Sequence, residues 1–169
     1  MFSTSRWLSL LQPDLILKDS ILQLTPQVLN QYQLKGLVLD VDDTVVSTKA
    51  AEASPELLAW LDEIKAETAI WLVSNNLKHS RIKRIATSLD LPYIYGASKP
   101  SRRKLRQAVR AMDLPYEQVA MVGDRLFTDV LAGNRLGLFT ILVEPLTQGN
   151  LLHKIEFWLF QNLEKKTRP

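Results

Sequence analysis

The chain has 169 residues, of which 46% are apolar and 23% charged, as in an ordinary globular domain with its own core. It contains no cysteine and two distant histidines, which excludes disulfides and cysteine nucleophiles and disfavours a histidine zinc site or a Ser-His-Asp triad. The net charge of +3 does not by itself indicate nucleic-acid binding. A nucleic-acid-binding module is the last-ranked alternative, because the basic helices lack interleaved aromatic residues, so we expect no nucleic-acid partner.

The first 35 residues form an arm in which apolar residues alternate with helix breakers. Pro13 and Asp14 end the first apolar run, so we expect no signal peptide, and no run approaches the ~20 apolar residues that span a bilayer. We expect a cytoplasmic protein, with a peripheral position at the inner face of a membrane left open. The arm either covers the core, which we favour, or docks on a membrane or partner.

Predicted strands and helices alternate through the rest of the chain. Thr25-Pro26 and Ser54-Pro55 are typical of helix starts, with the hydroxyl residue as N-cap. Helices are predicted at 26–32, 55–65, 79–89, 101–112, 127–136 and 150–166. Strands are predicted at 37–41, 69–73, 93–95, 119–122 and 139–143. The alternation predicts an α/β fold, a parallel sheet with helices on both faces.

One domain is expected over residues 1–169, with an N-terminal arm at 1–35, a catalytic core at 36–145 and a C-terminal amphipathic helix at 146–169. That helix has an apolar stripe. The stripe consists of Leu151, Leu152, Ile155, Trp158, Leu159 and Leu163. Phe157 and Phe160 fall outside it, beside Lys154, Lys165 and Lys166, and lie either in a bilayer interface or against the arm or a second subunit.

The apolar run that starts at Gly36 ends in three carboxylates, Asp40, Asp42 and Asp43. Like charges this close repel unless a cation or a proton lies among them. The crevice beyond the carboxyl ends of the strands is where open α/β sheets bind ligands. The pattern therefore indicates a ligand or cation site, with an acidic surface loop as the alternative.

Polar residues follow two further strands. Ser74 follows 69–73, Asp124 follows 119–122 with Asp129 shortly after, and Lys99 lies between them in sequence. Parallel strands place these groups at one edge of the sheet. This set of groups matches phosphoryl transfer through an aspartyl phosphate. That reaction needs a carboxylate nucleophile, carboxylates that bind Mg²⁺, a lysine and a hydroxyl that bind the phosphoryl oxygens, and a second carboxyl that acts as acid and base.

These segments, in this order, resemble the four motifs of the haloacid dehalogenase (HAD) superfamily of phosphatases. The matching segments are Asp40-Val41-Asp42-Asp43-Thr44-Val45, Ser74, Lys99, and Gly123-Asp124 with Asp129. The sequence around Ser74, Lys99 and Asp124, and the arm before the first motif, are similar to the YqeG-type subfamily IIIA. The resemblance implies a Rossmann-like HAD core and extends over about residues 36–145.

The resemblance also implies roles. Asp40 is the nucleophile and a Mg²⁺ ligand, and Asp42 is the general acid/base whose backbone carbonyl also binds the metal. Asp124 is the third protein ligand. Asp129 supports the metal site, through water or by orienting Lys99.

The remaining implied roles concern the phosphoryl group. Ser74, Asn75 and Lys99 hold it, and Thr44 stabilises the loop after the nucleophile. Taken alone, Ser74 with Asn75 is typical of a helix cap and Lys99 of a surface lysine, so the functional interpretation depends on the joint placement. Asp43 is expected to be solvated and without a catalytic role.

The spacing between motifs leaves no room for a cap domain, because one helix and its loops use the residues between successive motifs. An open site suits macromolecular or surface-bound phosphates. YqeG-type proteins resemble phosphatases that remove the terminal phosphate of phosphatidylglycerophosphate. We therefore expect a phosphorylated substrate, with this membrane phospholipid as the leading expectation; soluble phosphoesters and phosphoproteins stay open.

Basic residues near the motifs form either a solvated face or an anionic landing surface. They are Lys78, Arg81, Lys83 and Arg84, then Arg102, Arg103, Lys104, Arg106 and Arg110. A second function class is a receiver-like phospho-switch without turnover. In a receiver domain, the phosphate-accepting Asp would lie at the end of the third strand and the Lys at the end of the last strand. In this sequence the third predicted strand ends at Gly96 and the last ends at Pro145.

Overall fold

A sheet of parallel strands forms the centre of the computed structural model, which describes residues 4–149 and 151–167, without the side chains of 4–6, 160 and 163–167. Over these residues the sheet has six strands in the order β1-β6-β5-β2-β3-β4. They are β1 (Leu15–Ile16), β2 (Gly36–Leu39), β3 (Ala69–Val73), β4 (Tyr93–Ile94), β5 (Val119–Gly123) and β6 (Phe139–Leu142). The α/β prediction with a parallel sheet is confirmed.

Helices cover both faces of the sheet. They are α1 (Thr4–Ser9), α2 (Pro26–Gln31), α3 (Pro55–Lys65), α4 (His79–Leu89), α5 (Arg103–Met112), α6 (Leu131–Leu136) and α7 (Leu151–Thr167). Apolar residues of α2, α3 and α4 pack on one face, and those of α5 and α6 pack on the other. Thr25 and Ser54 accept hydrogen bonds from Val28 N and Leu57 N, which confirms both predicted N-caps.

The predicted helix at 127–136 is divided in the structure. A π-helical turn, Leu126–Val130, precedes the short helix α6. Such wide turns occur often at functional sites. Apolar periodicity does not distinguish a π-helical from an α-helical turn, so the sequence could not indicate this division.

The N-terminal arm covers the core and adds a strand that the sequence did not predict. Ile21 and Leu24 are buried, and the indole Nε1 of Trp60 donates to Leu24 O at 2.9 Å. Strand β1 pairs with β6, where Asp14 Oδ2 accepts from Thr140 N at 2.7 Å. Two residues are too few to show strand periodicity, but they cover an otherwise open sheet edge.

The C-terminal helix forms, but the described residues of its apolar stripe do not face the protein. Leu151, Leu152, Ile155, Trp158 and Leu159 are exposed. Instead, Glu156 is buried and Phe157 packs on Leu126, Val130 and Leu142. The reason is electrostatic: Glu156 accepts hydrogen bonds from the Arg125 guanidinium and from Leu126 N, which turns this face inward.

Helix α7 also contacts α1, so it packs against the arm. The predicted start at Asn150 and the side chains of Phe160, Leu163, Lys165 and Lys166 lie outside the described part of the structure.

No separate cap domain is present in the described residues, because the segments between the first and third motifs contain only α3, β3, α4, β4 and their loops. Across residues 4–149 and 151–167, none of the helices combines the length and apolar character that a bilayer crossing requires. Within this described part of the chain, no separate domain covers the carboxyl edge of the sheet.

Candidate active site

The sheet register brings the predicted site residues to one edge. Leu39 of β2 pairs with Leu72 of β3 and Val122 of β5. Asp40 therefore lies just beyond β2, where its N–H donates to Val122 O at 2.9 Å. Ser74 and Asp124 follow β3 and β5 at the same edge, as parallel pairing requires.

Lys99 joins two of the carboxylates. Its Nζ lies 2.7 Å from Asp40 Oδ1 and 2.7 Å from Asp129 Oδ1, and it donates to Val73 O at 2.9 Å. The lysine side chain is only 1% exposed. A buried ammonium needs such partners to offset its desolvation. Lys99 is therefore a site residue and not the surface lysine that its sequence context alone suggested.

Burial and mutual repulsion dominate the electrostatics of the carboxylates. Burial raises the pKa of Asp40 to about 7, despite the opposing charge of Lys99. Burial, followed by the charges of Asp129 and Asp40, raises the pKa of Asp124 to about 8. Burial alone would lower the pKa of Lys99, but Asp129 and Asp40 outweigh it and the net pKa is raised. The carboxylates of the site therefore outnumber the positive charges close to them.

The π-helical turn and Gly123 position Asp129. The turn returns Asp129 toward β5, where its Oδ2 accepts from Arg125 N at 3.2 Å. A Cβ on residue 123 would lie 2.2 Å from Asp129 Oδ2, so only glycine allows this approach. Thr44, which is buried, donates to Asp124 Oδ1 at 3.5 Å, so it contacts a proposed ligand as well as the loop after Asp40.

Ser74 and Asn75 differ in what their side chains do. The buried Ser74 Oγ accepts from Asn76 N at 3.0 Å, which leaves its hydroxyl hydrogen to donate elsewhere. The Asn75 amide pairs with the Lys99 backbone, with Oδ1 accepting at 2.7 Å and Nδ2 donating at 3.1 Å. The Asn75 side chain thus holds the Lys99 loop, and the second hydrogen of its Nδ2 is not used in this pairing.

The Asp42 side chain lies at the rim of the site. Its Oδ1 accepts from Arg81 Nη2 at 2.7 Å, and its Oδ2 accepts from Asn76 Nδ2 at 2.9 Å. Arg81 was grouped with basic surface residues, and this ion pair corrects that interpretation. The sequence does not indicate a site role for Arg81 or Asn76, because neither a position on a helix nor a position in a loop reveals which side chain turns toward a carboxylate.

The expectation that Asp43 is solvated is wrong. Asp43 is buried, and its carboxylate accepts hydrogen bonds from Thr48 N, Thr48 Oγ1 and Thr147 Oγ1. These contacts join the loop after β2 to the segment after β6. Asp43 thus has a structural role at the site, and the positive φ of 62° at this residue keeps the turn tight.

The donor set fits a divalent cation. Asp40, Asp124 and Asp129 each offer a carboxylate oxygen, and these oxygens lie within 4.8 Å of one another. Lys99 supplies one positive charge against three carboxylates, and burial, followed by the charges of neighbouring carboxylates, raises the pKa values of Asp40 and Asp124. Hard oxygen anions are the ligands that Mg²⁺ prefers.

The site is a polar cavity of about 160 Å³. It is lined by Asp40, Asp42, Asp43, Thr48, Ser74, Asn75, Asn76, Lys99, Asp124, Arg125, Thr128 and Asp129. The cavity combines buried carboxylates, an ammonium and a hydroxyl, so it can hold an oxyanion beside the Asp40 carboxylate.

Comparisons with known proteins agree with this geometry. The HAD-like hydrolase family model matches residues 96–146. Probable phosphatase YqeG of Bacillus subtilis is 39% identical over 139 residues, covering 82% of this chain and 80% of its own. The phosphatase relatives make a non-enzymatic receiver-like switch the wrong function class for this chain.

Two more distant relatives carry more specific names. Phosphatidylglycerophosphate phosphatase 1 of Arabidopsis thaliana is 26% identical over 132 residues, which cover 73% of this chain and 38% of that protein. The Chlamydomonas reinhardtii phosphatidylglycerophosphate phosphatase 1 is 29% identical over 141 residues, which cover 74% of this chain and 52% of that protein. This chain thus spans about half or less of these two relatives.

Solved structures share the fold. A Listeria monocytogenes protein aligns with a TM-score of 0.54 at 17% identity, covering 78% of this chain and 99% of that one. A haloacid dehalogenase-like hydrolase from Brucella suis aligns with a TM-score of 0.51 at 12% identity, covering 74% of this chain and 94% of that one. With the sequence relatives and the motif order, they lead to one conclusion: the chain belongs to the YqeG-type phosphatases of the haloacid dehalogenase superfamily.

Proposed function

We propose that this phosphatase hydrolyses phosphomonoesters through a phosphoryl group carried on Asp40. The observation that supports it best is the pairing of Lys99 Nζ with Asp40 Oδ1 and Asp129 Oδ1, both at 2.7 Å, beside the buried carboxylate of Asp124. Such a buried arrangement of opposite charges is costly to build for structure alone, and it has the components of covalent phosphoryl transfer.

In the first half-reaction, an oxygen of Asp40 attacks the phosphorus of the substrate. The new Asp40–phosphorus bond forms as the bond to the leaving oxygen breaks, and Asp42 gives a proton to that oxygen. Lys99 and the Ser74 hydroxyl donate hydrogen bonds to the phosphoryl oxygens. The products are an alcohol and phosphoryl-Asp40.

In the second half-reaction, water attacks the phosphorus of phosphoryl-Asp40. Asp42, now ionised, accepts a proton from this water, and the bond between phosphorus and Asp40 breaks. Inorganic phosphate leaves, and Asp40 returns as a carboxylate. Asp42 holds the proton that the next cycle requires, so atoms and charges balance over the cycle.

Mg²⁺ is the proposed cofactor. Asp40, Asp124 and the Asp42 backbone carbonyl would hold it, with Asp129 close enough to contribute directly or through water. When bound, the ion would offset the repulsion between an anionic nucleophile and an anionic substrate. The chain supplies the hard oxygen ligands and excludes bulk water by burying Asp124 and Asp129.

We propose phosphatidylglycerophosphate as the substrate. Two relatives bear the name of that activity. The absence of a separate cap domain in the described residues also supports a lipid substrate. A headgroup that stays attached to a membrane could reach such a site without a cap having to close over it. Soluble phosphoesters and phosphoproteins are the alternatives that a substrate panel must test.

Peripheral contact with a membrane is part of the same proposal. Helix α7 exposes Leu151, Leu152, Ile155, Trp158 and Leu159, and Lys154 on the same helix is exposed and basic. Exposed apolar residues next to cations are typical of helices that lie in a bilayer interface. This arrangement would keep the enzyme beside a lipid substrate, and the predicted cytoplasmic location would place it at the inner face.

A substrate panel with Mg²⁺ tests the proposal. We expect phosphate release from phosphatidylglycerophosphate in mixed micelles to exceed release from sugar phosphates, nucleotides and phosphopeptides. The Asp40→Asn variant should lose activity about a thousandfold or more, because it removes the nucleophile. Turnover of soluble esters without turnover of the lipid would contradict the lipid substrate and leave the phosphatase chemistry standing.

A further inference from the structure

Arg81 connects the Asp42 carboxyl to two carbonyls of the following loop. Besides its 2.7 Å bond to Asp42 Oδ1, its guanidinium donates to Ala50 O at 2.7 Å and to Ser47 O at 3.3 Å. The pair is shielded, with 15% of the Arg81 side chain and 21% of the Asp42 side chain exposed. The planar guanidinium makes these contacts from two nitrogens at once, with Nη1 on Ala50 O and Nη2 on Asp42 Oδ1 and Ser47 O.

The helix that carries Arg81 is a rigid base. On α4, Ile82 and Ile85 are 0% exposed and belong to the main core, so the backbone at Arg81 is held by packing. The loop is also held from its other side, where Asp43 accepts from Thr48 N at 3.1 Å. Arg81 therefore fixes both Asp42 and the loop in position relative to the core.

Both oxygens of Asp42 have a fixed donor. Arg81 occupies one lone pair of Oδ1 and Asn76 Nδ2 occupies one of Oδ2. A carboxyl oxygen has two lone-pair positions. One position on each oxygen thus remains for the proton that is exchanged with substrate, in a carboxyl that cannot rotate without losing both donors.

We propose that Arg81, assisted by Asn76, is a positioning residue that holds the Asp42 carboxyl in the orientation required for proton transfer to the leaving group. This inference rests on the proposed role of Asp42 as general acid. Arg81 does not contact the phosphoryl group in this scheme; it acts through Asp42. Proton transfer requires the acid within hydrogen-bond reach of the leaving oxygen, and a freely rotating carboxyl meets this condition rarely.

The leaving group provides a readout that separates positioning from general structural support. Phenolate is a poor leaving group that needs a proton, whereas p-nitrophenolate leaves without one. The two aryl phosphates are otherwise similar in size and charge. The ratio kcat/KM reports the first half-reaction, in which Asp42 acts as acid, so a positioning defect should affect phenyl phosphate selectively.

The experiment compares kcat/KM for phenyl phosphate and p-nitrophenyl phosphate in wild type, Arg81→Met, Asn76→Ala and Asp42→Asn. For Arg81→Met we expect a loss of about 10- to 100-fold on phenyl phosphate and less than about threefold on p-nitrophenyl phosphate. Asn76→Ala should show the same selectivity with a smaller loss. Lys35→Met removes an exposed cation at the opposite edge of the sheet and should match wild type.

The outcomes separate this inference from the proposed function. Equal losses on both esters in Arg81→Met, with a selective loss in Asp42→Asn, would overturn the inference alone. No selective loss in Asp42→Asn would overturn the general-acid role and the inference with it. If Arg81→Met fails to fold by circular dichroism, Asn76→Ala decides: a selective loss supports positioning, and an equal loss overturns it.

Discussion

Asp40 and Asp124 show how burial prepares the site for a cation. Their pKa values, about 7 and about 8, lie far above the ordinary value near 4 because burial and neighbouring carboxylates oppose ionisation. Without metal, the folded protein therefore keeps protons that the unfolded chain has already released. A bound divalent cation would replace these protons and remove the penalty.

This shift predicts an unusual pH dependence for the metal-free protein. Between about pH 4 and pH 8 the folded state binds more protons than the unfolded state, so the Asp40 and Asp124 contribution to stability falls as pH rises. This contribution is fully present at pH values below the carboxyl pKa of the unfolded chain, and it is lost as the pH rises through the pKa of the folded state. In EDTA, wild type should lose at least about 1 kcal/mol more unfolding free energy than Asp124→Asn between pH 6 and pH 8.

Urea unfolding of both proteins at the two pH values measures this difference. Mg²⁺ should stabilise wild type more at pH 8 than at pH 6, because fewer protons have to leave on binding. A wild-type stability that rises relative to Asp124→Asn over this range would contradict the assignment.

At the scale of elements, the close approach of the π-helical turn to β5 depends on Gly123. In Gly123→Ala the new Cβ would overlap the Asp129 carboxylate, so Asp129 must move away from Lys99. We expect a destabilisation of about 1–3 kcal/mol and a loss of Mg²⁺ affinity, measured by denaturation and by calorimetric titration.

Gly36→Ala is the matched control. Its Cβ would meet the Met112 sulfur at 2.8 Å and Leu114 at 2.9 Å, at the other end of the sheet. This variant should lose stability and keep wild-type Mg²⁺ affinity. Equal Mg²⁺ affinities in the two variants would show that Gly123 does not act through Asp129.

Most helices and strands could be predicted because periodicity and capping residues are local signals. Helix α4 and strand β3 match their predicted bounds, and the two-residue strand β1 and the π-helical turn, which have no local signature, were missed. Within the site, strand ends predicted the convergence of Asp40, Ser74 and Asp124. The pairing of Arg81 with Asp42 depends on side-chain direction across the fold, which no local pattern contains.

Helix α7 illustrates the same difference between local pattern and tertiary contact. The sequence shows an apolar stripe on α7, whereas among the described side chains of this helix the charged residue Glu156 is the buried one. The ion pair with Arg125 outweighs the periodicity, since Arg125 adjoins the Asp124 loop. The C-terminal helix is thereby fastened to the active site through polar contacts, and its apolar side is left outward.

At the scale of the whole molecule, the outward side of α7 predicts binding to anionic membranes. The double variant Leu152→Glu/Trp158→Glu should bind vesicles containing anionic lipid at least about tenfold more weakly, since each change removes apolar surface and adds repulsion. Its turnover of p-nitrophenyl phosphate should equal that of wild type, because neither residue lines the site.

Vesicle co-sedimentation at fixed ionic strength measures this difference. Ser88→Glu/Thr87→Glu adds the same charge on exposed positions of α4 and serves as the charge-matched control. Undiminished vesicle binding by the α7 variant, or an equal loss in the control, would contradict α7 as the membrane contact.

The central claim is that phosphorus is transferred to Asp40 before water receives it. The most direct measurement is mass spectrometry of acid-quenched Asp42→Asn after reaction with p-nitrophenyl phosphate and Mg²⁺. This leaving group needs no acid, but hydrolysis of the intermediate lacks its base, so a phosphoryl group should accumulate on Asp40 alongside a burst of p-nitrophenolate. Release of p-nitrophenolate with no phosphoryl group on Asp40, or full turnover by Asp40→Asn, would contradict the account.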